Sequence, residues 1–117
     1  MVKICLDLDG VICNTKKSAY KNSTPKKKII KYINFLYGQN HHITIFTARY
    51  MGRNNDKIKY AKKQGLALTK LQLKKWGVKY HRLILGKPSY DFIIDDKAIG
   101  FDKNWIKVLE KKLKIYT

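Results

Sequence analysis

Short apolar runs alternate with longer amphipathic stretches along the chain. The apolar runs are rich in Ile, Leu, Val and Phe, and each predicts a strand. They cover residues 2–8, 42–47, 82–85 and 90–94. Apolar residues at helical spacing predict helices in the stretches between and after them. These are a helix capped by Thr24 that ends near Gly38, a Lys-rich helix broken at Gly65, a helix ending at Gly77, and a helix over residues 104–114.

Strands that alternate with helices indicate βαβ units, and therefore a mostly parallel sheet with helices on both faces. A length of 117 residues suits one domain, which we expect to span residues 1–117. The predicted fold class is α/β, a Rossmann-like three-layer sandwich. In such sheets, ligands bind where the carboxyl ends of the strands meet.

No apolar run is long enough for a membrane helix, so we expect no membrane association. The first residues lack the pattern of a signal peptide, and Cys5 and Cys13 are too few for a disulfide framework. Both features favour a cytoplasmic protein with free thiols.

The chain carries 26 Lys and Arg against eight Asp and Glu, a formal net charge of +18. Only three of the basic residues are Arg, although the planar guanidinium is the group that nucleic-acid and phosphate readers favour. The charge therefore favours a solvated Lys-rich surface over a nucleic-acid footprint, which stays open as the weaker alternative. Anionic partners are favoured in either case.

The scarce carboxylates are concentrated at strand ends. Asp7 and Asp9 lie at the carboxyl end of the first predicted strand, and Asp95 and Asp96 follow the fourth. Acids gathered at one sheet edge repel one another unless cations neutralise them, and Mg²⁺ prefers such hard oxygen ligands. Thr47 at a strand end and Lys87 before the fourth strand complete a set suited to phosphoryl transfer. Among the arginines, Arg49 follows Thr47 closely, so a role in binding a substrate anion and a surface role both remain open.

At this point the sequence resembles the haloacid dehalogenase superfamily of phosphatases. The resemblance lies in four segments in order, ICLDLDGV, ITIFTAR, GKP and FIIDDKA. A lone DxDG would be a weak signal, whereas four parts in order are a specific one. The stretches TARYMG and KKWGVKYHRLILGKPSYDFIIDDKAI look like the small phosphatases of capsule and surface-polysaccharide biosynthesis within that superfamily.

The resemblance implies roles for individual residues. Asp7 would be the nucleophile that becomes an aspartyl-phosphate, and Asp9 the acid and base. Thr47 and Lys87 would bind the transferring phosphoryl group, and Arg49 is taken with them as a substrate-binding residue. Mg²⁺ would sit on Asp7, on the backbone carbonyl of Asp9 and on one or both of Asp95 and Asp96. Larger members carry a cap domain, for which this chain has no room, so residues 11–24 can form only a flap.

The predicted function is a Mg²⁺-dependent phosphomonoester hydrolase acting on a small sugar or polyol phosphate, with a homo-oligomer as an open option. An alternative prediction is a polynucleotide 3′-end phosphatase, which would use the same chemistry on a different substrate. A phosphorylatable receiver domain is a rival from another class, but receivers place the acid pair on the first strand and the acceptor later. Here the DxDG motif comes first and the acid pair last, which differs from a receiver domain. Asp9 also supplies the acid and base that dephosphorylation needs, so the phosphatase is favoured.

Overall fold

The structure is a computed structural model that describes residues 1–116. Five strands and three helices follow one another along these residues. The strands are β1 (Lys3–Leu6), β2 (Cys13–Asn14), β3 (Thr24–Pro25), β4 (His42–Thr47) and β5 (Arg82–Leu85). The helices are α1 (Lys27–Gly38), α2 (Ile58–Lys75) and α3 (Trp105–Tyr116).

The central sheet is parallel, with the strand order β1-β4-β5. Ile4 lies beside Ile43, and Thr47 lies beside Leu85. Along β4 every second residue is buried, because the side chains of a strand alternate between the two faces of a sheet. The expected Rossmann-like α/β class with a mostly parallel sheet is confirmed.

The main core lies between the sheet and the apolar stripes of the helices. Helix α1 contributes Ile30, Ile33 and Leu36, spaced three residues apart so that they share one face. Helix α3 packs against the same core and is tied to α1 by the hydroxyl of Tyr32, which donates to Glu110. The other main members of this core are Leu6, Leu8, Ile12, Ile43, Ile45, Leu73, Val78, Trp105, Leu109 and Leu113.

Helix α2 runs without interruption through Gly65, where the sequence predicted a break. The glycine serves packing and does not end a helix, because the ring of Tyr50 occupies the space that a side chain at residue 65 would fill. Among the described residues, no helix is long and apolar enough to cross a membrane.

The start of α1 also differs from the prediction. Thr24 and Pro25 form β3, which pairs with Cys13 and Asn14 of β2, and the helix begins two residues later, at Lys27. This pairing closes the segment between β1 and α1 into a short flap. The Lys26 ammonium donates to the carbonyl of Gly10 and so fixes the base of that flap.

The predicted fourth strand at residues 90–94 is wrong for the described structure. The segment is irregular, and Phe92 and Ile94 are 90% and 99% exposed. Its apolar run satisfies the local preference for a strand, but a strand also needs a neighbouring edge for its hydrogen bonds, and this segment pairs with none of the described strands.

Candidate active site

Three parallel strands end at the same edge of the sheet, and the sequence places polar residues at each end. Asp7 and Asp9 follow β1, Thr47 ends β4, and Lys87 comes two residues after β5. The backbone N–H groups of Gly86 and Lys87 both donate to the carbonyl of Thr47, each at 3.2 Å. The connection after β5 is therefore held against β4, which brings Lys87 towards β1.

The side chain of Lys87 reaches Asp7. Its Nζ lies 3.4 Å from Oδ2 of Asp7, while Oδ1 of Asp7 accepts the backbone N–H of Leu8 at 2.8 Å. The Asp7 side chain is 37% exposed and that of Lys87 only 12%. Burial lowers the pKa of Lys87, but the Tyr90 hydroxyl and the Asp7 carboxylate outweigh that effect, so the pKa ends above its ordinary value. Asp7 thus presents an accessible carboxylate beside a firmly protonated ammonium.

Asp9 lies in a denser network than Asp7. Its Oδ1 accepts hydrogen bonds from Nη2 of Arg49 at 2.9 Å and from the hydroxyl of Thr15 at 2.6 Å. Its Oδ2 accepts from Nε of Arg49 at 3.0 Å. The guanidinium therefore binds both oxygens of the carboxylate, which is the strongest geometry for such a pair.

The side chain of Arg49 is fully buried, and this differs from the expectation that it would bind a substrate anion. Its Nη1 donates to the amide oxygen of Gln72 at 2.5 Å and to the hydroxyl of Thr69 at 3.4 Å. Its Nη2 also donates to the hydroxyl of Ser23 at 3.1 Å. With its donors engaged inside the protein, this guanidinium has no face left for a ligand in the described arrangement.

Thr47 is also fully buried. Its hydroxyl accepts the backbone N–H of Arg49 at 3.1 Å, which shapes the turn after β4. The hydroxyl of Thr47 therefore holds the turn after β4, and its carbonyl holds the connection after β5. Its predicted contact with a phosphoryl group stays a prediction.

Asp95 and Asp96 are exposed and lie on the irregular segment before α3. Oδ1 of Asp95 accepts the backbone N–H of Lys97 at 2.8 Å, a local turn contact. Asp95 nevertheless acts electrostatically on Cys5 of β1. Partial desolvation raises the pKa of the Cys5 thiol, and the carboxylates of Asp7 and Asp95 add to the effect while Lys87 opposes it.

The carboxylates of the predicted magnesium centre, those of Asp7, Asp95 and Asp96, are not assembled in this arrangement. Within residues 1–116, no three His, Cys, Asp or Glu side chains are grouped so that they could hold a metal ion. The ligand expected from Asp9 is its backbone carbonyl, which the ion pair of its side chain with Arg49 does not occupy. Asp95 and Asp96, however, lie on a segment that is not held in the sheet. The donor set therefore does not fit Mg²⁺ as it stands, because the ligands that would neutralise the cation are not brought together.

A small aromatic and basic cluster holds the flap. The guanidinium of Arg53 lies over the rings of Tyr20 and Tyr50, at 5.3 Å and 4.8 Å from their centroids, and donates to the carbonyl of Ser18 at 3.0 Å. The flap is therefore fastened to the loop after β4, next to the ion pair of Asp9 and Arg49 that Thr15 and Ser23 contact.

Sequence reasoning missed the residues that support Asp9. Thr69 and Gln72 are buried polar residues on the inner face of α2, and Thr15 and Ser23 lie on the flap. A signal for the first two was present, because polar side chains at core-facing positions of a helix need buried partners. Nothing in the sequence distinguishes Thr15 and Ser23 from ordinary loop residues.

Comparison with known proteins supports the fold and leaves the activity open. No family model matches the sequence, and no curated protein matches it. The chain is similar to a crystal structure of an MCSG target from Vibrio cholerae, with 26% sequence identity and a TM-score of 0.79. The match covers 96% of this chain and 99% of that chain, so the similarity in fold extends over nearly the whole molecule.

Proposed function

We propose that this protein is a phosphomonoester hydrolase in which Asp7 is the nucleophile. The observation that carries the proposal is the accessible Asp7 carboxylate beside the Lys87 ammonium, at the edge where the parallel strands end. An ammonium in that position can neutralise the incoming phosphate, which would otherwise be repelled by the carboxylate. The sequence motifs that resemble the haloacid dehalogenase superfamily support the same assignment.

The reaction proceeds in two steps. An oxygen of Asp7 attacks phosphorus, and the bond from phosphorus to the ester oxygen breaks, while protonated Asp9 gives its proton to the leaving oxygen. Water then attacks the aspartyl-phosphate, Asp9 takes a proton from that water, and inorganic phosphate leaves with the Asp7 carboxylate restored. Lys87 stays protonated throughout and stabilises the charge on the phosphoryl oxygens.

Mg²⁺ enters the proposal from the sequence motifs alone. No step above is assigned to it, because the described residues form no group of three His, Cys, Asp or Glu side chains that could hold the ion. Removal of divalent cations with EDTA tests the dependence. Loss of turnover that Mg²⁺ restores would require Asp95 or Asp96 to join Asp7 around the ion. Unchanged turnover would remove the metal from the proposal.

A small sugar or polyol phosphate is the substrate class that we propose, together with a place in surface-polysaccharide synthesis. One observation favours a second candidate, a polynucleotide 3′-end phosphatase. Helix α2 contains six Lys and no Asp or Glu, which gives a basic surface suited to a phosphate backbone. Parallel assays with phosphorylated sugars, polyols and a 3′-phosphorylated oligonucleotide rank the two candidates.

The decisive variant is Asp7→Asn, which we expect to abolish turnover with little loss of stability, because Asp7 is partly exposed and makes few contacts. Asp91→Asn is the matched control, since Asp91 is an exposed aspartate on the irregular segment. Mass spectrometry of wild-type protein quenched during turnover should show one added phosphoryl group, located on Asp7. Full activity of Asp7→Asn would end the proposal.

A further inference from the structure

The ion pair between Asp9 and Arg49 is built from a residue type that this chain uses sparingly. Lys supplies almost all of its positive charge, yet the buried partner of Asp9 is one of only three arginines. A lysine would offer one point charge, whereas the guanidinium fork fixes the plane of a carboxylate. The choice of Arg at this position indicates that the orientation of Asp9 matters, and not only its neutralisation.

The two oxygens of Asp9 are engaged unequally. Oδ1 accepts from Nη2 of Arg49 at 2.9 Å, from Nε at 3.2 Å and from Thr15 at 2.6 Å, with the Cys13 thiol at 3.5 Å. For Oδ2 the described contact is the single hydrogen bond from Nε at 3.0 Å. A carboxylate oxygen can accept more than one hydrogen bond, so Oδ2 retains the capacity to take up a proton.

Gln72 connects this pair to the flap. Its amide oxygen accepts from Nη1 of Arg49 at 2.5 Å, and its amide nitrogen donates to the carbonyl of Tyr20 at 2.7 Å. The ring of Tyr20 in turn lies over the guanidinium, 5.0 Å from its centre. Gln72 therefore connects the flap at Tyr20 to Arg49, and Arg49 connects it to Asp9.

We propose that Arg49 is the positioning residue for Asp9, that it leaves Oδ2 as the oxygen that exchanges the proton, and that Gln72 sets the orientation of Arg49. This inference rests on the proposed function, since it assigns the support of the acid and base of that reaction. Arg49 acts through Asp9 and makes no contact with substrate.

The test is a double-mutant cycle on kcat and KM with a phosphomonoester that wild-type protein hydrolyses. Arg49→Lys should lower kcat by roughly tenfold to a hundredfold, the size of a small misplacement at a reacting group, with KM nearly unchanged. Arg49→Met should be worse, so that the conservative variant gives partial rescue. In an Asp9→Asn background Arg49→Lys should have no further effect, because the residue it positions no longer transfers a proton.

Gln72→Met provides a second variant that keeps the charged pair and removes only its support. It should lower kcat in the same direction as Arg49→Lys and by a smaller factor. Gln64→Met on the exposed part of the same helix is the matched control and should leave kcat and KM unchanged. A Gln72→Met enzyme with wild-type kcat overturns the proposed role of Gln72, even where Arg49 variants fail to fold.

The outcomes separate the inference from the function it rests on. An additive cycle, or a rise in KM in both backgrounds, would mean that Arg49 acts on substrate and would overturn the inference while the function stands. Wild-type protein inactive on all phosphomonoesters overturns both.

NMR of the arginine Nε–H groups gives a readout that does not depend on turnover. The Nε–H proton of Arg49 should exchange slowly with water, and Asp9→Asn should remove that protection. Exchange as fast as that of exposed Arg82 would also overturn the inference.

Discussion

Replacement of Gly65 by alanine tests the packing between α2 and the loop after β4. A methyl group at residue 65 would lie 2.1 Å from two ring carbons of Tyr50, whereas carbon atoms normally approach to about 3.5–4.0 Å. Tyr50 is 6% exposed, and its ring packs against Tyr20, with 4.7 Å between the ring centroids. Tyr50 therefore cannot move aside without disturbing the flap.

Two opposing effects decide the sign of the change in stability. Alanine is the better helix former and would stabilise α2 by up to about 1 kcal/mol. Overpacking of a filled core costs about 1–3 kcal/mol, and an overlap of this size belongs at the upper end of that range. We expect a net loss of about 2 kcal/mol, or a fall in Tm of roughly 6–10 °C for a domain of this size.

Urea unfolding and thermal melting followed by circular dichroism measure the effect. Gly38→Ala is the matched control, because Gly38 is the last residue of α1 and a side chain there would meet nothing within 4 Å. The control should be neutral or slightly stabilising. In a Tyr50→Ala background, Gly65→Ala should change sign and become stabilising. A Gly65→Ala protein as stable as the Gly38→Ala control would show that Tyr50 does not rest on residue 65.

Two further predictions concern titrating groups. Burial, and then the hydrogen bond to Glu110, raise the pKa of Tyr32, so the folded protein should lose stability as pH rises above about 10, where tyrosine ionises in the unfolded chain. Tyr32→Phe should show a smaller loss, and equal losses in urea titrations between about pH 9 and 11 would contradict the reasoning. The exposed Cys5 should react with a thiol reagent in the native protein, slowly near neutral pH because its pKa is raised, while buried Cys13 should react only after unfolding. Two reactive thiols in the native protein would contradict the described burial of Cys13.

The fold could be predicted wherever the local pattern and the tertiary environment agree. The runs that became β1, β4 and β5 are apolar in sequence and are paired in the sheet, so their residues satisfy both demands. Residues 90–94 satisfy only the demand of the local pattern, because they pair with none of the described strands. Gly65 misled the prediction in the opposite way, because a glycine inside a helix indicates a break unless a neighbouring ring needs the space.

The site could be predicted in part, because strand ends in a parallel sheet share an edge. This reasoning placed Asp7, Asp9, Thr47 and Lys87 at one edge, and the contact of Lys87 with Asp7 agrees with it. For Asp95 and Asp96 the same reasoning assumed that the preceding segment is a strand, which the described structure does not show, so their place in the site stays a prediction.

The role of Arg49 was beyond sequence reasoning. The predicted elements place the backbone of an arginine, but its long side chain can carry the guanidinium in many directions from there. The packing of α2, with Thr69 and Gln72 on its inner face, and the contacts with Ser23 and Tyr20 of the flap direct it to Asp9.

The sequence alone determined the alternation of strands and helices, the excess of positive charge and the clustering of a few acids after apolar strands, because these properties depend on residue type and spacing. The tertiary structure decided which of those acids share a site, which cation each one faces, and that residues 90–94 stay outside the sheet. Those outcomes depend on the packing of residues distant in sequence, and no local preference specifies that packing.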